Sequence, residues 1–573
     1  MHTSGTLLST HALRRFRHLW KQYLAAQWRL VSLLALFLLA TIGLQLLTPF
    51  MLGLFIDAAT GGKPTEQLLA LAVMYLGLAF LARGVRVGET YTAERLAWIT
   101  TNALRLDVAR HCLRLDLSFH HQHPPGELLE RVDGDVSMLN NLLSRFVLVL
   151  INSTLLTVGM LLVLLHIDLR IGLTLLGYTA LYLLINIYIS RFPPPYFVQA
   201  RHTEAELYGF LEERLSGRED IRANGAVHYV TQRLTVFLRQ RFRLQRRAEL
   251  VSQAVRGVRM LMYILGMLIA LGLDGYLYLN GALTLGIVYL IFAYTMQLWD
   301  PLREMTNQLG DFQRAVAGLS RLDELLQTNT RLADGELEYV PTGPLTVSFE
   351  DVSFGYQAGE PVLRDLSFRL PSGKVLGILG RTGSGKTTLT HLLLRFYDPD
   401  KGCVRVNGID LKTIKIDVLR SRVAMVTQDV QIFHASVRDN LTFFDQTISD
   451  HTLRQALETL GLWDWAEQLP QGLDTMLRSG GGNLSAGQAQ LVALTRVFLA
   501  HPDLVILDEA SARLDPVTEA LLDRAMSGLF HGRTGIIIAH RRTALKHVDD
   551  VMLIEHGQKV HYSPREHFVL DAE

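Results

Sequence analysis

Cysteine is nearly absent: Cys112 and Cys403 are the only two in 573 residues, far apart and without metal-ligand spacing. That argues against a disulfide framework and against a cysteine metal site, and it fits reduced thiols. Excess charge of either sign is also missing. With a net charge of +1, the chain as a whole offers nucleic acid no electrostatic footprint, so its Lys and Arg residues inform only by position. Charged residues are few, 19% against 49% hydrophobic, which lies on the apolar side of ordinary soluble proteins. Part of the chain therefore faces lipid.

Long apolar runs supply that part. Uncharged stretches of helical length occur at 30–56, 146–165, 171–190 and 275–299, and roughly 20 apolar residues suffice to span a bilayer. Two shorter runs, 67–82 and 260–273, complete a prediction of six spans, because a helix can carry its charges beyond the headgroups. The first run lacks a small-residue cleavage site and is expected to stay as an anchor. Residues 11–29 read either as an amphipathic helix lying on the membrane surface or as a solvated lead-in.

Basic residues alternate between the connections. Arg14, Arg15, Arg17, Lys21 and Arg29 precede the first span, and Arg95, Arg105, Arg110, Arg114 and Arg131 follow the second. More than ten arginines lie from Arg191 to Arg256, whereas the connections near 61–66, 166–170 and 274–281 are short and nearly free of Lys and Arg. The positive-inside rule then puts the long connections and both termini in the cytoplasm. An integral protein of a prokaryotic inner (plasma) membrane is expected. Pro193-Pro194-Pro195 must break or bend the end of the fourth span. Asp300, with Arg303 and Glu304 one turn away, reads as an ion pair ahead of a substrate contact. Asn152, Ser153, Thr154 and Thr157 read as a helix-contact patch.

Beyond about residue 344 the composition becomes that of a soluble α/β domain. The stretch "KVLGILGRTGSGKTTLTHLLLRFY" reads as apolar strand, Gly-rich turn and helix. Residues 380–387 fit G-x-x-x-x-G-K-[ST] in the setting the motif requires. Gly380, Arg381, Thr382, Gly383, Ser384, Gly385, Lys386, Thr387 and Thr388 thus point to nucleotide phosphates. The glycines let backbone N–H groups approach, Lys386 neutralises the β- and γ-phosphates, and the Thr387 hydroxyl suits Mg2+. A second apolar run, "LVIL", ends in Asp508 and Glu509; the first acid can hold the Mg2+ shell and the second can take a proton from attacking water. ATP and Mg2+ are the expected cofactors.

With these motifs in place, the chain resembles an ABC exporter half-transporter of the multidrug or lipid type over nearly its whole length. The resemblance implies a membrane domain of six long transmembrane helices followed by an α/β P-loop ATPase domain. It implies that Tyr356 in "VSFGYQAGEPVL" stacks on adenine and that Gln428 in "VAMVTQDVQIF" senses Mg2+, attacking water and the membrane domain. His540 in "IIIAHRR" would contact the γ-phosphate, and Asp515 in "SARLDP" belongs to the loop between two sites. Catalysis then falls to Glu509, His540 and Gln428, and metal binding to Thr387, Gln428 and Asp508. The membrane domain is expected over 1–330, a linker over 331–343 and the nucleotide-binding domain over 344–573. Coupling helices are expected at "GELLERVDGDVSML" and "ELYGFLEERLSG".

The resemblance also implies a dimer, because the signature segment grips the ATP held by the other subunit. Here that segment is "NLSAGQAQ", with Ser485, Gly487 and Gln488 retained but Ala486 and Ala489 altered. If position 486 needs a positive φ, a Cβ there costs about 1 kcal/mol; if it is helical, Ala is at least as good as Gly. A heterodimer with a second half-transporter is expected ahead of a homodimer. The expected function is ATP-driven outward translocation or flipping of an amphipathic drug, lipid or peptide. The alternatives are a homodimeric lipid flippase and an ATP-gated membrane regulator with little turnover. The lipid bilayer is a partner; nucleic acid is not.

Overall fold

The computed structural model describes residues 23 and 25–568, except 142–143, 145–146, 358, 483, 509–515 and 540–541. Most of the surface segment expected at 11–29 lies outside them. By contacts the chain divides into two units, Met1–Leu113 with Pro125–Thr328, and Arg114–Pro124 with Asn329–Glu573.

The first unit is helical. Its helices begin with α1 (Trp28–Thr60) and α2 (Thr65–Arg114); the short α3 (Leu117–Gln122) that follows belongs to the second unit. Then come α4 (Val147–Ile167), α5 (Leu169–Ile189), α6 (Pro193–Ser216), α7 (Val227–Leu279), α8 (Leu285–Gln297) and α9 (Trp299–Gln327). Among the described residues, six helices are long and apolar enough to cross a membrane. They occur in the expected order. The 50 residues of α2 and 53 of α7 correspond to roughly 75–80 Å, against a hydrocarbon core of roughly 30 Å. Each therefore continues as helix far beyond its apolar part.

One boundary differs from expectation for a physical reason. The connection expected at 274–281 is instead the last turns of α7, which reaches Leu279. Hydropathy treats Asp274 as a charge that must leave the membrane. Asp274 is in fact 0% exposed, and both carboxylate oxygens lack a partner among the described residues. It lies between Ala270 and Leu277, one helical turn to either side, and both of these belong to the main apolar core of the unit. Asp300, the acid singled out from sequence, is exposed and lies 3.9 Å from Arg303.

Helix ends and crossings follow from specific residues. The fourth span stops at Ile189, and α6 opens at Pro193, where the missing N–H of a proline forfeits no helical bond. Helices α1 and α8 meet at two glycines: a Cβ on Gly286 would lie 2.1 Å from the Gly53 carbonyl oxygen. Asp57 fixes the same crossing, accepting from Thr284 Oγ1 and from the Gly286 amide, each at 2.7 Å. Deeper in the unit, Thr41 donates to buried Glu89 at 2.6 Å. Ser153 and Thr157 of the expected contact patch are buried.

Among the described residues the second unit holds ten strands: β1 (Val347–Phe354), β2 (Leu363–Leu370), β3 (Val375–Leu379), β4 (Lys401–Val406), β5 (Ile409–Asp410), β6 (Val423–Val426), β7 (Leu504–Asp508), β8 (Thr534–Ile538), β9 (Asp550–Glu555) and β10 (Gln558–Pro564). They form an antiparallel sheet in the order β2-β1-β4-β5 and a larger sheet in the order β10-β9-β3-β8-β7-β6. In the larger sheet all pairs but β9–β10 are parallel. Its central strands are unbroken apolar runs because both faces are covered. Leu376, Ile378, Ile506 and Ile536 enter one core, while Val375, Val505, Leu507 and Ile537 enter the other. Open sheets of this kind bind ligands at the carboxyl ends of their parallel strands.

Helix α3 is tied into this unit by Asp116. Its side chain caps the helix, accepting from the Phe119 amide at 3.0 Å, and accepts from the Arg331 amide at 2.7 Å and from Thr330 Oγ1 at 3.3 Å. Burial pushes the Asp116 carboxyl up, but the hydrogen bonds from Ser118, Arg331, Phe119 and Thr330 outweigh it and hold the group below the usual carboxylate range. The segment "GELLERVDGDVSML", expected to couple the two domains, stays in the first unit, where Asp135 forms a bidentate pair with Arg321.

Candidate functional site

Strand register assembles the site. Val426 at the end of β6 pairs with Leu507, and Asp508 at the end of β7 pairs with Ile538 of β8. The Ala539 amide then donates to Ile378 of β3 at 3.1 Å. The ends of four parallel strands therefore lie side by side, each leading into one motif found in the sequence.

From β3 the chain enters the loop Gly380–Gly385 and then α10 (Lys386–Leu393). Gly385 has φ 101°, and a Cβ there would lie 2.6 Å from Leu363 Cδ2, so only glycine fits by both conformation and space. At Gly380 a Cβ would lie 2.3 Å from the Ile554 carbonyl oxygen. Lys386 is 5% exposed, and its Nζ donates to the Gly380 and Arg381 carbonyls at 2.7 and 2.9 Å. The ammonium is thereby held at the centre of the loop. Among the described residues, Ser384 Oγ is buried there without a hydrogen-bond partner. A buried hydroxyl in that state is uncompensated by the protein itself, and a phosphate oxygen is the complement it lacks. The loop residues thus fit the phosphates.

Thr387 Oγ1 donates to Asp508 Oδ2 at 3.2 Å. The two oxygens, one at the start of α10 and one at the end of β7, are the donor set a hard divalent cation takes. Gln428 is exposed two residues past β6, on the strand beside β7. Glu509, Asp515 and His540 lie outside the described residues. Their neighbours Asp508 and Ala539 lie at the strand ends just described.

Tyr356 follows β1. Its hydroxyl donates to Thr388 Oγ1 at 3.2 Å and is 3.3 Å from His391 Nδ1. Phe354 and Tyr397 stand edge-on to its ring at 5.2 and 5.3 Å. The ring is nearly half exposed, so one face is open to a base. Neither His391 nor Tyr397 was marked by the sequence motifs; a lone histidine in a helix carries no signal of its own.

The signature segment opens α11 (Ala486–Leu499). Ser485 Oγ accepts from the Gln488 amide at 3.1 Å, and Gln488 Oε1 accepts from the Ser485 amide at 2.9 Å. This reciprocal capping box fixes the helix start. Ala486 is therefore the first helical residue and has no positive φ, so of the two conformations considered for it, the favourable one holds. The serine accepts from its own helix, and its hydroxyl hydrogen remains available as a donor.

Comparisons with known proteins agree with this construction. The family model for the ABC transporter transmembrane region matches residues 31–302, and the ABC transporter model matches residues 363–512. A fatty acid ABC transporter ATP-binding/permease protein of Mycobacterium bovis is 31% identical over 86% of this chain and 78% of its own length. An ATP-dependent lipid A-core flippase of Alcanivorax borkumensis is 30% identical, covering 87% of this chain and 86% of the flippase. Among solved structures, a bacterial Atm1-family ABC exporter with ATP bound shares the fold with a TM-score of 0.77, at 24% identity over 95% of this chain and 96% of that one. The chain belongs to the ABC transporter family, as an integral membrane exporter whose transmembrane region and ATP-hydrolysing domain are fused in one polypeptide.

Proposed function

We propose that this chain is one half of a dimer that uses ATP to move an amphipathic, lipid-like substrate outward across a prokaryotic inner membrane, with the nucleotide-binding domain cytoplasmic. The observation that carries this reading is the junction of the loop Gly380–Gly385, Lys386, Thr387 and Asp508 at adjoining strand ends. In the proposed cycle Tyr356 receives the adenine ring, loop amides and Lys386 hold the phosphates, Glu509 takes the proton of attacking water, and His540 contacts the γ-phosphate. Bound Mg2+, held by Thr387, Asp508 and Gln428, would offset phosphate charge. Ser485, Gly487 and Gln488 act on the ATP of the other subunit, and Asp515 lies between the two sites.

The substrate class is drawn from α2. An open surface pocket of about 460 Å³ along this helix is lined by Arg83, Arg86, Val87, Thr90 and Tyr91. Counted from the start of α2 at Thr65, Arg83 and Arg86 come roughly 27–32 Å along the helix, about the thickness of the hydrocarbon core. Two guanidiniums at that depth suit an anionic headgroup whose tail remains in lipid. Fatty acid and lipid A-core in the relatives' names are amphipaths too. Replacing both arginines by Gln should weaken the apparent affinity of an anionic amphipath, read as ATPase stimulation in liposomes, by about 10-fold or more. A zwitterionic one should be little affected.

The altered signature suggested a second, different half-transporter. A homodimer is the second reading, favoured by the helical start at Ala486, which removes any backbone penalty. Purified chain reconstituted alone separates them. Little turnover supports the heterodimer; brisk turnover abolished in Glu509→Gln supports the homodimer. Turnover unaffected by any lipid or amphipath would overturn the translocase reading in favour of a nucleotide-gated regulator.

A further inference from the structure

His391 lies one turn beyond Thr387, on α10, boxed by rings. Phe396 stands edge-on at 5.6 Å, Tyr397 lies tilted at 6.2 Å, and Nδ1 faces the Tyr356 hydroxyl at 3.3 Å. The hydroxyl of Tyr356 already donates to Thr388, so His391 Nδ1–H is the natural donor to the same oxygen. Contacts from Phe354, Thr388, His391 and Tyr397 thus set the tilt of the ring that would carry adenine. Among the described residues, the titratable groups facing His391 are Tyr356, Tyr397 and His121 of α3; Asp116 acts on Tyr397. The nearby carboxylates are engaged elsewhere: Asp398 with Arg395 at 3.0 Å and Asp400 with the Gly355 amide at 2.9 Å. Among the described residues, no anion compensates a charged imidazole in this box. Burial first, and His121 second, hold its pKa below the usual 6.5, so it is neutral at pH 7 and takes a proton only on acidification.

We propose that His391 is a positioning residue for ATP binding, which holds the Tyr356 ring in register for the base and makes that register sensitive to pH. This rests on Tyr356 being the base platform. A depressed folded pKa means that the ordered arrangement is complete above about 6.5 and is lost as pH falls through the lowered value. A charged imidazole would leave the ring box and release the phenol.

The test measures ATP affinity of the full-length, Glu509→Gln chain by displacement of a fluorescent trinitrophenyl ATP between pH 5.5 and 8. His391→Ala should weaken ATP at least about threefold at pH 7.5, whereas His391→Asn, whose amide can donate as Nδ1–H does, should restore most of the affinity. Phosphate itself titrates near pH 6, so the decisive quantity is the ratio of wild-type to His391→Asn affinities. It should fall at least about threefold on acidification, because Asn does not titrate. Equal pH profiles for wild type and His391→Asn, or unchanged affinity in His391→Ala, overturn the proposal. Unchanged affinity in Tyr356→Ala overturns the base platform as well and so marks which step failed.

Discussion

Lys386→Ala is expected to abolish measurable ATP binding and to lower turnover by at least about 100-fold, the scale on which enzymes lose activity when one preorganised charge is removed from a reacting anion. The side chain is almost wholly buried, and its ammonium donates to two carbonyls of its own loop, which hold it at the loop's centre. A buried ammonium at the centre of a glycine-rich loop, beside a helix N-terminus, is placed to receive an anion. Phosphate is that anion. Lys386→Arg should not rescue, because the planar guanidinium cannot occupy the centre of a loop built around a compact ammonium. Equilibrium binding of ATP by the purified chain, with a melting curve to confirm folding, decides the matter; retained affinity in Lys386→Ala would remove this loop from the site.

Glu509→Gln should give the opposite dissociation of effects. Turnover should fall about 100-fold to 10,000-fold, the usual loss on removing a general base, while ATP affinity stays within about twofold of wild type. Asp508 separates the two roles. That residue closes β7 and accepts from Thr387, so it is committed to the metal side of the phosphates, and the next carboxylate is the one left for water. Loss of binding together with turnover in Glu509→Gln would instead make this acid a ligand. Comparing both variants on one preparation tells phosphate binding from chemistry without knowledge of the transported substrate.

Much of this was legible in the sequence, for identifiable reasons. A membrane span shows itself by hydropathy, and a P-loop by a spacing that few other structures need. What escaped depends on burial, which a string of residues does not display. Asp274 was read as marking a connection because a charge ordinarily leaves the bilayer; it lies instead in the core of the helical unit, on an unbroken α7. The start of α3 was readable and missed: "DLSF" places an Asp N-cap before a short helix, three residues ahead of the Phe119 amide it binds. The same holds for Ser485 and Gln488, whose S-x-x-Q spacing announces a capping box and would have decided the conformation of Ala486 in advance. His391 had no such marker, since its role comes from rings and a helix brought together only by the fold.

That capped helix start bears on how two subunits would come together. A glycine at position 486 would leave the first turn of α11 more backbone freedom, worth about 1 kcal/mol relative to alanine. With alanine inside a closed capping box, the ordering entropy of this surface is settled during folding of the monomer. Association then draws none of its free energy to organise it, and on this account the departure from the usual motif trades pliability for a contact that is finished before the encounter.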